Sequence, residues 1–106
     1  MRKTNRKATG HCFRTSYEQL MSLESPDSRL VHGIVWSELT GWHVHGWVEL
    51  NGFCFDHGNI FPQDKYYQAG KVKTGVGEIF KYTKQEAVKK SLKVGKYYFS
   101  NLPCNK

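Results

Sequence analysis

The dipeptide Asn51-Gly52 most restricts how this 106-residue chain can fold. Asn-Gly between two runs of strand-forming residues is the strongest short-range signal for a β-hairpin with a two-residue turn, because both turn residues must adopt positive φ angles. Residues 42–50 precede it in strict alternation, and residues 53–57 follow it as a returning strand. One side of the first strand is apolar or small, and the other side carries His43, His45, Trp47 and Glu49.

This hairpin brings chemically active side chains onto one face. A two-residue turn places Glu49 opposite Cys54 and Trp47 opposite Asp56, and side chains alternate between the faces of each strand. His45 and Asp56 are then diagonal neighbours, with backbones roughly 5.5–8 Å apart. We therefore predict that the Asp56 carboxylate accepts a hydrogen bond from the His45 imidazole, fixes its tautomer and favours the imidazolium.

The remaining sequence predicts an α+β fold in which an N-terminal helix packs on a small antiparallel sheet. An apolar stripe indicates the first helix, and a capping box at Thr83–Glu86 with Gly95 downstream delimits a later one. The predicted elements are a helix over 12–23, strands over 30–36, 42–50, 53–57, 75–82 and 97–99, and a helix over 84–94. Residues 58–75 read mainly as loops, with a short extended piece at 71–73.

Length and composition predict one domain over residues 10–106, preceded by a basic flexible tail over residues 1–9. No apolar run reaches the roughly 20 residues of a membrane helix, and no apolar segment of a signal peptide follows the basic start. We therefore expect a cytoplasmic protein without a membrane partner. Its three cysteines, an odd number, then favour free thiols in a reducing compartment.

The net charge of +7 is unevenly distributed along the chain. Residues 8–64 carry two arginines and seven acids, whereas residues 65–106 carry ten lysines and two glutamates. A basic last third fits either an anionic partner, such as nucleic acid, or a lysine surface that only interacts with solvent. Both interpretations stay open at this point.

Cys12 is the candidate nucleophile, because it lies at the start of the first predicted helix. A helix N-terminus lowers a thiol pKa by stabilising the thiolate, and a nearby imidazolium lowers it further. The order Cys12, His45, Asp56 then forms a Cys-His-Asp triad, with the Cys12 backbone N–H as one candidate oxyanion donor. Cys54, on the hairpin face, is the second candidate for the nucleophile.

Several of these segments resemble small bacterial and phage proteins of the papain-like and transglutaminase-like class, over about residues 10–100. The segments are Gly10-His11-Cys12 opening a helix, Leu30-Val31-His32-Gly33, His45-Gly46-Trp47-Val48-Glu49, Phe55-Asp56, and Tyr82-Thr83 with Glu86 downstream. The resemblance implies a papain-like core, with Cys12 as nucleophile, His45 as general base and Asp56 as its orienting acid. It also implies a hydrolase or acyl transferase, such as a thiol protease, acting on a protein or peptide-like substrate.

Two alternatives remain beside this hypothesis. One is a non-catalytic basic protein, of phage or mobile-element origin, that binds nucleic acid or an acidic host protein through its last third. The other is a zinc site, because His43, His45, Cys54 and His57 are residue types that zinc prefers. Their spacing matches none of the familiar zinc motifs, so we expect neither metal nor cofactor. The sequence does not indicate an oligomeric state.

Overall fold

A computed structural model describes residues 8–103 of the chain, and the side chains of residues 11–103. The described part contains three helices and five strands. They are α1 (Ala8–Ser22), β1 (Arg29–Ser37), β2 (Gly41–Leu50), β3 (Phe53–Asp56), β4 (Asn59–Pro62), α2 (Gln63–Ala69), β5 (Ile79–Tyr82) and α3 (Lys84–Val94). The strands form one antiparallel sheet in the order β4-β3-β2-β1-β5. The predicted α+β class, with the N-terminal helix on an antiparallel sheet, is confirmed.

The β2–β3 hairpin has the predicted turn. Asn51 and Gly52 have φ angles of 53° and 84°, the positive values that this two-residue turn requires. Glu49 pairs with Cys54, and the neighbouring predicted pairs are also present. The ladder ends at Val48, one pair earlier than predicted, so the first part of β2 has no ladder partner in β3.

Helix α1 begins at Ala8, four residues before the predicted start at Cys12. Cys12 therefore lies in the second turn, where backbone N–H groups bond to carbonyls inside the helix. The prediction that Cys12 sits at a helix N-terminus is wrong. The argument for its backbone N–H as an oxyanion donor loses that support. Ala8 and Thr9 of the predicted tail belong to the helix, and residues 1–7 lie outside the described residues.

The sheet carries helices on both faces, and each face has its own apolar cluster. The face under α1 and α3 buries Leu20, Leu30, Val48, Tyr82 and Ala87. The opposite face, under α2, buries Val31, Val35, Trp47 and Cys54. Successive residues of β1 and β2 thus point alternately into the two layers, and the side chains at the centre of each layer are buried.

The chain after β3 differs most from the predictions. Residues 59–69, predicted as loop, form β4 and α2, with Pro62 at the edge of β4 and as the N-cap of α2. The predicted strand over 75–82 is confined to Ile79–Tyr82. Residues 97–99 form no strand, because these aromatic residues lie over the α1 face rather than beside a partner strand.

Helix α3 has the predicted bounds and caps. Thr83 accepts from the Glu86 backbone N–H, the Glu86 side chain accepts from the Thr83 backbone N–H, and Gly95 ends the helix with a φ of 75°. Among the described residues, no helix is both long enough and apolar enough to cross a membrane.

Candidate active site

His45 and Asp56 are in direct contact, as the hairpin register predicts. His45 Nε2 lies 3.0 Å from Asp56 Oδ2, and the two side chains are only 16% and 18% exposed. The two residues come from β2 and β3, at the point where the strands separate. A short contact with little water around it is the arrangement in which a carboxylate orients and charges an imidazole most effectively.

The electrostatics of this pair favour its ionised form. Burial alone lowers the pKa of His45, but hydrogen bonds to Asp56 and Cys12, and the negative charges of both, raise it to about 10. Burial acts in the opposite direction on Asp56, yet its hydrogen bond to His45 brings the pKa of the carboxyl below its ordinary value. Near neutral pH the pair is therefore an imidazolium beside a carboxylate.

Cys12 completes a three-residue constellation, since its side chain hydrogen-bonds to the same imidazole. The Nε2 atom of His45 faces Asp56, so Nδ1 is the ring nitrogen available to the cysteine. The structure thus brings together all three residues of the predicted triad. Cys12 is buried, with 2% of its surface exposed.

Gly46 allows α1 to approach the strand that carries His45. A Cβ atom at this position would lie 2.9 Å from Ser16 Oγ and 3.1 Å from a ring carbon of Phe13, both on α1. Gly46 faces α1, and the His45 side chain points to the opposite face of β2, because side chains alternate along the strand.

Tyr66 is a member of the site that the sequence did not indicate. Its hydroxyl donates to Asp56 Oδ2 at 2.6 Å, so the same carboxylate oxygen accepts from both Tyr66 and His45. The other oxygen, Oδ1, lies 4.0 Å from His57 Nε2. Tyr66 is on α2, in the segment that reads as a loop, and no local pattern separates it from the other tyrosines.

Trp47 and Glu49 form a second buried polar cluster behind the imidazole. The Trp47 indole stacks on the His45 ring, with centroids 6.0 Å apart, and its Nε1 donates to Glu49 Oε2 at 2.9 Å. Glu49 is 6% exposed, and its carboxylate also accepts from Tyr67, Cys54 and Lys81. A buried carboxylate with this many donors rigidly holds Trp47, and through it the plane of His45.

The second candidate nucleophile, Cys54, is not activated. Burial and the charge of Glu49 raise the pKa of its thiol to about 12. The thiol lies 3.7 Å from Glu49 Oε2 and donates to it. Cys54 is therefore a neutral hydrogen-bond donor near neutral pH, which disfavours a nucleophilic role for its thiol.

The described residues contain no group of three or more His, Cys, Asp or Glu side chains that could hold a metal ion. His43 Nδ1 lies 2.9 Å from both Thr40 Oγ1 and the Gly41 carbonyl, and Cys54 is bound to Glu49. These partners occupy two of the side chains on which the zinc alternative depends.

A cavity of about 460 Å³ opens beside the pair, between the sheet and α2. His45 and Asp56 form part of its wall. The other lining residues are Val35, Ser37, His43, Phe61, Lys65, Tyr66, Ala69 and Gly70. We call this space the α2 cavity.

Comparison of the chain with protein-family models, with curated proteins and with solved structures finds no match. The functional interpretation therefore depends on the residues and geometry of the chain itself.

Proposed function

We propose that this protein is a cysteine-dependent hydrolase or acyl transferase with a papain-like core, acting on an amide, ester or thioester bond of a protein or peptide-like substrate. One observation carries the proposal: a single buried imidazole, His45, is hydrogen-bonded both to a cysteine and to a carboxylate. This is the arrangement that activates a thiol as a nucleophile.

The chemistry assigned to each residue follows from that contact. The Cys12 thiolate attacks the carbonyl carbon, so that a C–S bond forms and the carbonyl oxygen takes an electron pair. When the intermediate collapses, the bond to the leaving group breaks and the His45 imidazolium gives that group its proton. The resulting thioester is cleaved when His45 takes a proton from water, or from an acceptor amine, which attacks the acyl carbon and releases Cys12.

Asp56 and Tyr66 affect these reaction steps through His45. Asp56 fixes the imidazole with Nε2 toward the carboxylate and stabilises its protonated form. Tyr66 holds the carboxylate in place with a 2.6 Å hydrogen bond. Neither residue forms a bond to the substrate, so we assign both of them positioning roles.

Alkylation by iodoacetamide tests the proposal, with each modified cysteine identified by peptide mass spectrometry. Because Cys12 is 2% exposed, the small reagent also measures whether the site opens to solvent. We expect Cys12 to react faster than Cys54 in the same molecule at pH 7, and His45→Ala to slow Cys12 at least tenfold. Cys54 is the internal control, because its thiol is neutral.

The proposal fails if Cys12 does not react in the folded protein, or reacts at the same rate in the His45→Ala variant. A positive result leads to acyl probes, for which Cys12→Ala should abolish the formation of a covalent acyl adduct. Retention of the adduct in Cys12→Ala would assign the chemistry to another residue.

The lysines of the last third support a second candidate, binding to nucleic acid or an acidic protein. Helix α3 exposes Lys89, Lys90 and Lys93, and Lys71 and Lys73 lie 4.4 and 4.6 Å from the ring centroids of Trp36 and Trp42. Binding driven by these charges would weaken steeply with added salt, because counterions are released on association. It would also survive Cys12→Ala, which separates it from the enzymatic proposal.

A further inference from the structure

Two tryptophans lie side by side near one end of the sheet. Trp36 on β1 and Trp42 on β2 are direct cross-strand partners, so both side chains project from the same face. This is the face that carries α1, because Gly46, four residues after Trp42 on the same strand, contacts that helix. Trp36 is half-buried and Trp42 is 37% exposed, whereas the third tryptophan, Trp47, is fully buried. Two neighbouring indoles are thus open to solvent.

A lysine lies over each of these indoles. Lys71 Nζ is 4.4 Å from the centroid of the Trp36 ring, and Lys73 Nζ is 4.6 Å from that of Trp42. Two backbone hydrogen bonds, of 2.7 and 3.0 Å, join the segment 70–73 to the end of β1 and place both lysines there. We call these four side chains the tryptophan platform.

The charge around the platform favours an anionic partner. Residues 70–77 contribute two lysines and no acid, and the turn between β1 and β2 contributes one acid, Glu38. The exposed indoles require that this partner also offers flat apolar groups. Unpaired nucleotides combine the two features, because each has a phosphate and a base with a π-face. An acidic peptide supplies the negative charge without such a series of flat groups.

We propose that the tryptophan platform binds a single-stranded nucleic acid, with bases stacked on the two indoles and phosphates paired with the two lysines. Neighbouring aromatic side chains take up unstacked bases in this way on RNA-binding sheets. The flexible lysine stems allow each ammonium to move from its ring face to a phosphate while a base takes its place. This inference rests on the second candidate function, binding to an anionic partner, and it is independent of the chemistry of Cys12.

Three anionic probes separate stacking from charge. A ten-nucleotide oligothymidylate offers bases and phosphates, an abasic decamer offers phosphates without bases, and poly-glutamate offers carboxylates. We expect the oligothymidylate to bind at least tenfold more tightly than the abasic strand in fluorescence anisotropy at low salt. Equal affinity for the two strands, or tighter binding of poly-glutamate, overturns the inference and leaves charge-driven binding in place. Absence of binding by every probe overturns both, and leaves the proposed enzymatic function intact.

A substitution at the more exposed indole locates the stacking. Trp42→Leu should reduce the preference for the oligothymidylate over the abasic strand at least fivefold, because one stacked base is lost. Its affinity for the abasic strand should change less than twofold, which also shows that the fold is retained. Phe61→Leu is the matched control, because Phe61 is 38% exposed and lies on β4, at the far edge of the sheet. A preference that survives Trp42→Leu, or that both variants lose equally, overturns the inference.

Two double substitutions that remove equal charge locate the phosphates. Lys71→Gln with Lys73→Gln removes the lysines of the platform, and Lys89→Gln with Lys93→Gln removes two exposed lysines of α3. We expect the first pair to weaken binding of the oligothymidylate at least tenfold. It should also reduce the slope of log K against log salt by about 1.4, since each phosphate contact on a single strand contributes roughly 0.7. The second pair should change the affinity less than threefold. Equal weakening by the two pairs overturns the inference, because net charge alone would then explain the binding.

Discussion

His32 and His45 are both shielded from water on adjacent strands, and their electrostatics are opposite. They sit in neighbouring cross-strand pairs, His32 with Gly46 and His45 with Gly33, and therefore point to opposite faces of the sheet. The pKa of His45 is raised to about 10, whereas burial and the charge of His45 lower the pKa of His32 to about 4. One histidine is thus charged and the other neutral at pH 7.

The partners of the two rings explain this difference. His32 Nδ1 contacts the Ser100 hydroxyl at 2.7 Å, and the ring lies among aromatic side chains. No described residue hydrogen-bonds to its Nε2 atom. A hydroxyl and aromatic edges do not offset the lost hydration of an imidazolium, whereas the Asp56 carboxylate does. Burial alone therefore does not predict a histidine's charge, because the neighbouring groups decide it.

Asp56→Asn should have the largest effect, because it removes the carboxylate that distinguishes His45 from His32. We expect the pKa of His45 to fall by several units, and acyl transfer to Cys12 to slow by about 10³-fold. Histidine NMR titration and probe kinetics measure the two effects. Asp64→Asn, an exposed acid at the start of α2, is the control and should change neither. An unaltered His45 titration in Asp56→Asn would show that another group charges the ring.

Acidification should destabilise the protein through His32. A histidine whose folded pKa is depressed loses stability as pH falls, since the unfolded state takes up its proton near 6.5 and the folded state only near 4. The difference corresponds to about 3 kcal/mol between these values. We expect His32→Phe, which keeps an aromatic ring there, to show a smaller loss in the free energy of unfolding between pH 7 and pH 4. Equal losses in both proteins would contradict this assignment.

His45 affects the pH dependence of folding stability with the opposite sign to His32. Its raised folded pKa adds stability that is fully present below about 6.5 and is lost as pH rises through about 10. Asp56, whose folded pKa is lowered, contributes stability above its ordinary pKa of 3.8 that is lost on further acidification. Denaturation of wild type and His45→Gln between pH 7 and pH 10 should therefore show a steeper loss in the wild type. Parallel curves would contradict the raised pKa.

Gly46→Ala should destabilise the fold by about 2 kcal/mol, because an added methyl overpacks the contact with Ser16 and Phe13. Gly70→Ala is the matched control. Its nearest neighbour would be 3.5 Å away, an ordinary contact, so we expect a change within about 0.5 kcal/mol. Urea denaturation measures both. Equal stability of the two variants would show that α1 is not tightly seated on β2.

Tyr66→Phe should have the smallest effect of the set, since Asp56 keeps its contact with His45. Loss of the hydrogen bond that positions the carboxylate should slow alkylation of Cys12 about tenfold. Tyr67→Phe is the neighbouring control, because its hydroxyl donates to Glu49 instead. We do not expect a higher pH or a higher temperature to restore the rate. Identical slowing by both substitutions would indicate a general loosening of α2 rather than positioning of Asp56.

The sequence by itself determined the elements whose signals are local. Asn51-Gly52 sets the register of the β2–β3 hairpin, and Thr83, Glu86 and Gly95 set the ends of α3. The contact between His45 and Asp56 follows from that register, because alternation along two paired strands fixes which side chains are neighbours. These features depend on residues a few positions apart, or joined by one tight turn.

Only the tertiary structure decided how distant segments meet. The contact of Cys12 with His45 depends on where α1 crosses the sheet, and on the missing side chain of Gly46. The donation from Tyr66 to Asp56 and the α2 cavity depend on a helix that lacks an apolar stripe. Such contacts arise from the packing of whole layers, which no short sequence pattern encodes. The opposite charges of His32 and His45 have the same origin, because each depends on groups that packing brings to the ring.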